Sequence, residues 1–214
     1  MSCQIHFVGF TTDPQCLIIQ ELAARGDLRS YLQKFGEQGR RPVLQTQLNM
    51  ALDIARGMEY LHTQKPPVLH RESSIAAVLH AMLGSDCCVA DAGDLKTPNL
   101  LLSEDLRVKI TDFGLSREKL ISHGKTAQMT VCGTPLWTAP EVLKGESYNE
   151  KADVFSFSLC LWELWSNVLP HSELGLGPME IVLKVASEDI RPRIPADMPH
   201  WMANVVQRCW VSYT

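Results

Sequence analysis

The sequence predicts an α+β chain that is mainly helical, with a small β portion at its N-terminal end. Three observations carry this. Between 45 and 62 the apolar residues Leu48, Ala51, Leu52, Ala55, Met58 and Leu61 recur at helical intervals, which marks one buried helix face. Between 152 and 166, Val154, Phe155, Phe157, Leu159, Leu161, Trp162, Leu164 and Trp165 cover nearly every face, so this helix belongs inside a core. Two pairs of short apolar runs, at 6–21 and 100–111, flank turn-forming residues and read as strand pairs.

Taken in order, runs 6–9 and 16–21 are strands joined through a turn that contains Asp13 and Pro14. Gly26-Asp27 opens a helix over 28–35, with the Asp27 carboxylate suited to cap it. The helix at 45–62 runs about five turns and is stopped by Pro66-Pro67. Strands 100–102 and 108–111 lie on either side of Ser103-Glu104-Asp105. Pro140 opens a short helix, the buried helix follows, and two more helices are expected near 178–187 and 199–210. There is no internal repeat and no low-complexity linker.

Composition narrows the function classes. The 214 residues suffice for one domain with a sizeable core. A hydrophobic content of 45% and a charged content of 21% are ordinary for a globular chain and argue against disorder. The net charge of −4 comes without a block of like charge, so no nucleic-acid or anionic-membrane footprint is expected. The seven cysteines are scattered, with no C-x-x-C pair, and read as reduced thiols. No signal peptide is visible, and no apolar run reaches the ~18 residues of a membrane span. The expected location is cytoplasmic.

The chemistry sits in Asp94-Leu95-Lys96-Thr97-Pro98-Asn99, followed by Asp112-Phe113-Gly114. A carboxylate, an ammonium, a carboxamide and a second carboxylate in this order resemble the catalytic loop and metal-binding motif of protein kinases. Two further segments agree. Gly133-Thr134-Pro135-Leu136-Trp137-Thr138-Ala139-Pro140-Glu141 resembles the peptide-docking end of the kinase activation segment, and Lys151-Ala152-Asp153-Val154-Phe155-Ser156-Phe157 the central helix of the large lobe. The resemblance implies a protein kinase-like fold, truncated: a mainly helical large lobe with a remnant of the small β lobe. Residues 1–21 would be that remnant with the hinge strand, and 22–214 the large lobe.

The resemblance also implies roles. Asp94 would orient the acceptor hydroxyl and Lys96 would stabilise the moving phosphoryl group. Asn99 and Asp112 would hold Mg²⁺, whose preference for oxygen ligands suits both. Backbone groups of Glu21 and Ala23, at the hinge, would meet the adenine of ATP. His70 would pack under the metal motif, Arg71 would meet an activation-loop phosphate, and Asp153 would tie the catalytic loop to the large-lobe core. Phe113, Gly114, Thr130, Thr134, Thr138 and Glu141 would belong to the activation segment, with Ser116, Ser122, Thr126 and Thr130 as candidate phosphosites for an upstream activating kinase. Lys96 and Thr138 point to serine/threonine specificity, whereas Ser156-Phe157-Ser158 and Leu161-Trp162-Glu163-Leu164 resemble the tyrosine-kinase-like branch. The expected activity is transfer of the ATP γ-phosphoryl group to Ser or Thr of a protein substrate.

The sequence departs from the family pattern in three places. It begins after the glycine-rich loop, the strand lysine and the helix glutamate. It ends before the last helix and the arginine that would pair with Glu141. Its His-Arg-Asp triplet is split: His70-Arg71 is followed by 72–93 before Asp94 resumes the motif. Residues 72–93 are either an insertion in the catalytic loop, with Ser74 capping a helix over 75–83, or a retained intron. Arg71-Glu72-Ser73 and Ala92-Gly93 are compatible with splice-site codons whose removal restores an arginine before Asp94. The chain as written is therefore expected to be inactive or impaired. The alternative is a non-catalytic, pseudokinase-like protein-interaction module.

Overall fold

The computed structural model describes residues 4–13, 17–63, 95–111, 136–146 and 148–210. The first strands, β1 (Phe7–Thr11) and β2 (Leu17–Gln20), pair antiparallel with an irregularity between Phe7 and Gly9. Both lie within two residues of their expected bounds. Val8, Phe10, Leu17 and Ile19 remain exposed. The ladder is extended by Glu21, whose N–H donates to the His6 carbonyl at 3.0 Å.

Helix α1 (Leu28–Glu37) begins where the cap was expected. Asp27 is extended, and its carboxylate accepts the Ser30 N–H at 2.8 Å. Gly26 precedes it at φ +71°, a left-handed conformation that glycine adopts without strain. Helix α2 (Leu44–His62) buries Met58 and Leu61 of the expected stripe together with Met50 and Ile54, whereas Leu48, Ala51 and Ala55 are half-buried and Leu52 is exposed, so the buried face is rotated from the one the apolar spacing marked. It ends at Thr63, and the expected stop at Pro66-Pro67 lies outside the described residues.

The second strand pair consists of β3 (Leu100–Leu102) and β4 (Val108–Ile110), antiparallel, with Leu100 opposite Ile110 and Leu102 opposite Val108. Leu106, at φ 61°, turns the chain between them. This hairpin is a hub. Arg25 N–H donates to the Leu102 carbonyl at 3.1 Å and Leu102 N–H to Gly26 at 2.8 Å, which fastens the segment before α1 to β3. Ile5 N–H donates to the Ile110 carbonyl at 3.1 Å on the far side.

Asp53 locks α2 to β4. Its buried carboxylate accepts two bonds from Arg107, Nε at 2.7 Å and Nη2 at 2.5 Å, and the Val108 N–H at 3.1 Å. Asp53→Ala leaves that buried N–H without an acceptor, while the partly exposed Arg107 regains water. The expected loss of stability is ~2 kcal/mol, read as a lower urea midpoint at unchanged m-value.

Helix α3 (Pro140–Leu143) starts at Pro140 as expected, because proline lacks only an N–H that the first turn does not use. Helix α4 (Lys151–Ser166) is the centre of the molecule, buried on nearly all faces, with Phe155, Leu159, Leu161 and Leu164 in the core. It packs on α2 and on α6 (His200–Cys209), while α5 (Pro178–Glu188) packs on α3. Gln47 of α2 donates to the Leu164 carbonyl of α4 at 2.6 Å inside that interface. Two short 3-10 turns, Thr97–Asn99 and Ser172–Leu174, were not anticipated. No described helix is long and apolar enough to cross a membrane.

Candidate functional site

The turn Thr97–Asn99 carries the site. Lys96 leads into it in an extended conformation, and its carbonyl accepts the Asn99 N–H at 2.9 Å, which closes the turn. Pro98 follows Thr97 and restricts its backbone. Leu95 on one side and Leu100 on the other are fully buried and anchor the turn in the core. Helix α1 packs against it. Lys96 is half-buried and Asn99 is buried.

The Asn99 carbonyl accepts the Thr111 N–H at 3.0 Å. This bond continues the β3–β4 register by one step, so the chain leaves β4 directly beside Asn99, with Asp112 next in sequence. Antiparallel pairing thus brings the two ends of the hairpin together, so that Asn99 and Thr111 are neighbours although they are separated in the sequence. A carboxamide oxygen and a carboxylate are hard oxygen donors that suit Mg²⁺.

Of the other expected site residues, Asp94, Asp112, His70, Arg71, Phe113, Gly114, Thr130 and Thr134 lie outside the described residues, as do 72–93 and Ser116, Ser122 and Thr126. Asp153 is buried in the first turn of α4, where His62 Nε2 donates to its Oδ2 at 2.9 Å. Glu21 and Ala23 lie between β2 and α1. Glu21 forms an ion pair with Lys109 of β4, and the Ala23 carbonyl accepts the Gly26 N–H at 3.2 Å. Thr138 and Glu141 are buried around the start of α3, and Glu141 Oε2 has no partner among the described residues.

The residue that sequence reasoning missed is Glu163, in the middle of α4. Its side chain is completely buried, and three groups from three other parts of the chain converge on it. Thr97 Oγ1 donates to Oε2 at 2.7 Å, Trp137 Nε1 to the same oxygen at 3.0 Å, and Arg29 Nη1 of α1 to Oε1 at 2.9 Å. Burial pushes the carboxyl up to about 7, against the pull of these hydrogen bonds and of the Arg29 charge. A signal existed: a carboxylate in the middle of a helix apolar on nearly every face has no exposed side to occupy, and a buried carboxylate needs donors.

Comparison with known proteins gives the family. A family model described as protein tyrosine and serine/threonine kinase matches residues 4–93 and 81–213. The chain is 36% identical over 209 residues to the serine/threonine-protein kinase CTR1 of Arabidopsis thaliana, covering 97% of this chain and 22% of that protein. It is 37% identical to the probable serine/threonine-protein kinase drkC of Dictyostelium discoideum, covering 97% of this chain and 24% of that protein. It is also 37% identical to the serine/threonine/tyrosine-protein kinase HT1 of Arabidopsis thaliana, covering 92% and 43%. The chain thus spans less than half the length of these relatives.

Proposed function

This chain belongs to the protein tyrosine and serine/threonine kinase family, and from that premise we propose that its full-length protein transfers the γ-phosphoryl group of ATP to serine or threonine hydroxyls of a protein substrate. The family uses ATP and Mg²⁺ in general. One observation carries the reading for this chain: the Thr111–Asn99 bond, which brings the residue before Asp112 against the turn that contains Lys96 and Asn99.

The roles follow from the chemistry of each group. Asp94 accepts the proton of the incoming hydroxyl and aims its oxygen. Lys96 offsets charge on the transferred group, in a site where catalysis is mostly positioning and electrostatics. Asn99 and Asp112 supply the oxygen ligands for Mg²⁺, which when bound neutralises phosphate charge. At the hinge, the Glu21 N–H is engaged by His6 and the Ala23 carbonyl by Gly26. By the family resemblance, backbone groups of Glu21 and Ala23 meet the adenine edge. Asp153, held by His62, braces the region from the core.

We assign residues 1–21 to the small-lobe remnant and hinge strand, 22–214 to the large lobe, and 72–93 to an interruption of the catalytic loop. The family match supports the last point, since its two segments meet within 81–93. Phosphorylation at Ser116, Ser122, Thr126 or Thr130 by an upstream kinase, read out through Arg71, is the regulatory expectation.

The test is phosphate transfer from γ-labelled ATP by the full-length protein, with serine-, threonine- and tyrosine-containing peptide libraries and with Mg²⁺ present or chelated. The expected result is Mg²⁺-dependent label on serine and threonine. No transfer, together with no Mg²⁺-dependent nucleotide binding, overturns the reading in favour of a protein-interaction module.

A further inference from the structure

A cavity of about 990 Å³ lies between one side of α1, residues 39–41 and the C-terminal end of α4. None of its lining residues belongs to the turn Thr97–Asn99 or to the hinge. Its volume is that of a ligand site, and its wall is basic. Among the described residues, Arg29, Arg40 and Arg41 line it against one carboxylate, Glu37, which is engaged by Gln33 Nε2 at 2.9 Å.

Two of these arginines are fixed. Arg29 is held by Glu163 at 2.9 Å and donates to the Asn167 carbonyl at 3.3 Å. Arg41 lies over the Trp165 ring, 4.9 Å from its centre, and donates to Asp197 at 2.5 Å. Arg40 differs. It is exposed and forms no ion pair among the described residues, yet its backbone is clamped. Its N–H donates to the Phe35 carbonyl at 2.9 Å, and its carbonyl accepts Asn167 Nδ2 at 2.8 Å. Asn167 ends α4 at φ 59°, a left-handed conformation that asparagine tolerates. Its Oδ1 is buried and has no partner among the described residues. The wall thus holds an acceptor that lacks a donor, beside an unpaired cation. Val168 and Leu169 add an exposed apolar rim. An inorganic anion would meet the arginines and nothing else. A peptide brings carboxylates, amide N–H groups and apolar side chains together.

We propose that this cavity is a docking site for an acidic segment of a partner protein, with Asp or Glu next to an apolar side chain. Arg40 takes a carboxylate, in the planar two-point geometry that a guanidinium favours. Arg29 and Arg41 add positive charge around it. A backbone N–H of the segment donates to Asn167 Oδ1, and the apolar side chain covers Val168 and Leu169. The proposal goes beyond the kinase reading and does not depend on it, because docking here uses no catalytic group and no nucleotide.

The test is fluorescence anisotropy on the full-length protein without nucleotide. The probe is a fluorescein-labelled peptide of leucine and glutamate, which carries no hydroxyl to phosphorylate. Its leucine–lysine counterpart is the control. The acidic peptide is expected to bind ~10-fold or more tightly than the basic one, and more weakly as salt is raised. Arg40→Glu is expected to weaken it by ~10–100-fold, the range for a hydrogen bond to a charged group. Arg56→Glu makes the same charge change at an exposed position of α2 outside the cavity, and is expected to change affinity by less than about twofold. In the unmodified protein, the peptide is expected to slow amide hydrogen exchange at 36–41 and 166–169. That measurement decides the matter if Arg40→Glu does not fold. Equal binding of the two peptides, equal effects of the two charge reversals, or protection elsewhere than these two stretches overturns the proposal. So does displacement of the probe by inorganic phosphate at constant ionic strength, since that describes a simple anion site.

Discussion

Asp94→Asn in the full-length protein is expected to lower kcat by ~10²–10⁴-fold, the range that a positioned general base supplies, with KM for ATP nearly unchanged. Asparagine keeps the shape of the side chain and loses the ability to take the hydroxyl proton. Asn99→Ala should behave differently. It removes the oxygen ligand proposed for Mg²⁺, and because even outer-shell partners of metals are worth 10–100-fold, the loss is expected at ~10²-fold or more. Raising Mg²⁺ should recover part of the Asn99→Ala rate and none of the Asp94→Asn rate, because only the former defect lies in metal affinity. Equal responses of the two variants to Mg²⁺ would contradict the assigned roles. Asn99 is buried and its backbone is fixed by Thr111, so a thermal midpoint is read alongside, to count only folded molecules.

The second large effect is on stability, and it is hidden until one of two residues is changed. Glu163 titrates at about 7 in the folded chain against an ordinary 4.5. A carboxyl raised by burial favours folding in its protonated form, so its contribution is greatest below pH 4.5 and is lost as pH rises through about 7. His171 does the opposite. It is buried with neither ring nitrogen bonded among the described residues. Burial lowers it from 6.5 to about 4, with Arg191 adding to the drop and Glu173 opposing it. Its contribution is present above pH 6.5 and is lost as pH falls through about 4.

Each shift corresponds to ~3 kcal/mol, and between pH 4.5 and 6.5 the two slopes oppose and nearly cancel. His171→Phe is therefore expected to unmask Glu163, with stability rising by ~3 kcal/mol as pH falls from 7 to 4.5. Glu163→Gln is expected to unmask His171, with stability falling by a similar ~3 kcal/mol from pH 6.5 to 4. Urea midpoints at half-unit pH steps measure both slopes. Parallel profiles for the two variants would refute the assignment. Ser103 beside Asp105 and Arg41 beside Asp197 hold those carboxyls below the usual carboxylate range, so their titration falls under this window.

The elements were legible because they rest on local rules. The three- and four-residue apolar interval located α2, the all-round apolar composition marked α4 as central, the Asp27 cap started α1, and Pro140 started α3. Observed bounds lie within two residues of those expected, as fraying allows. The family, too, was legible, because motifs survive in order along a chain. The short 3-10 turns were not, since a single turn has no periodicity to detect.

By itself, the sequence determined which helices and strands form, which of them is central, and to which family the chain belongs. Tertiary structure alone decided that Asn99 lies against Thr111 across a hairpin, that Asp53 closes on Arg107 and Val108, and that Thr97, Trp137 and Arg29 meet on Glu163. The physical reason is the difference between period and partner. Apolar periodicity reports which face is removed from water and says nothing about what waits there. A buried carboxylate is defined by its donors, and those come from parts of the chain that only the folded packing of helices brings together.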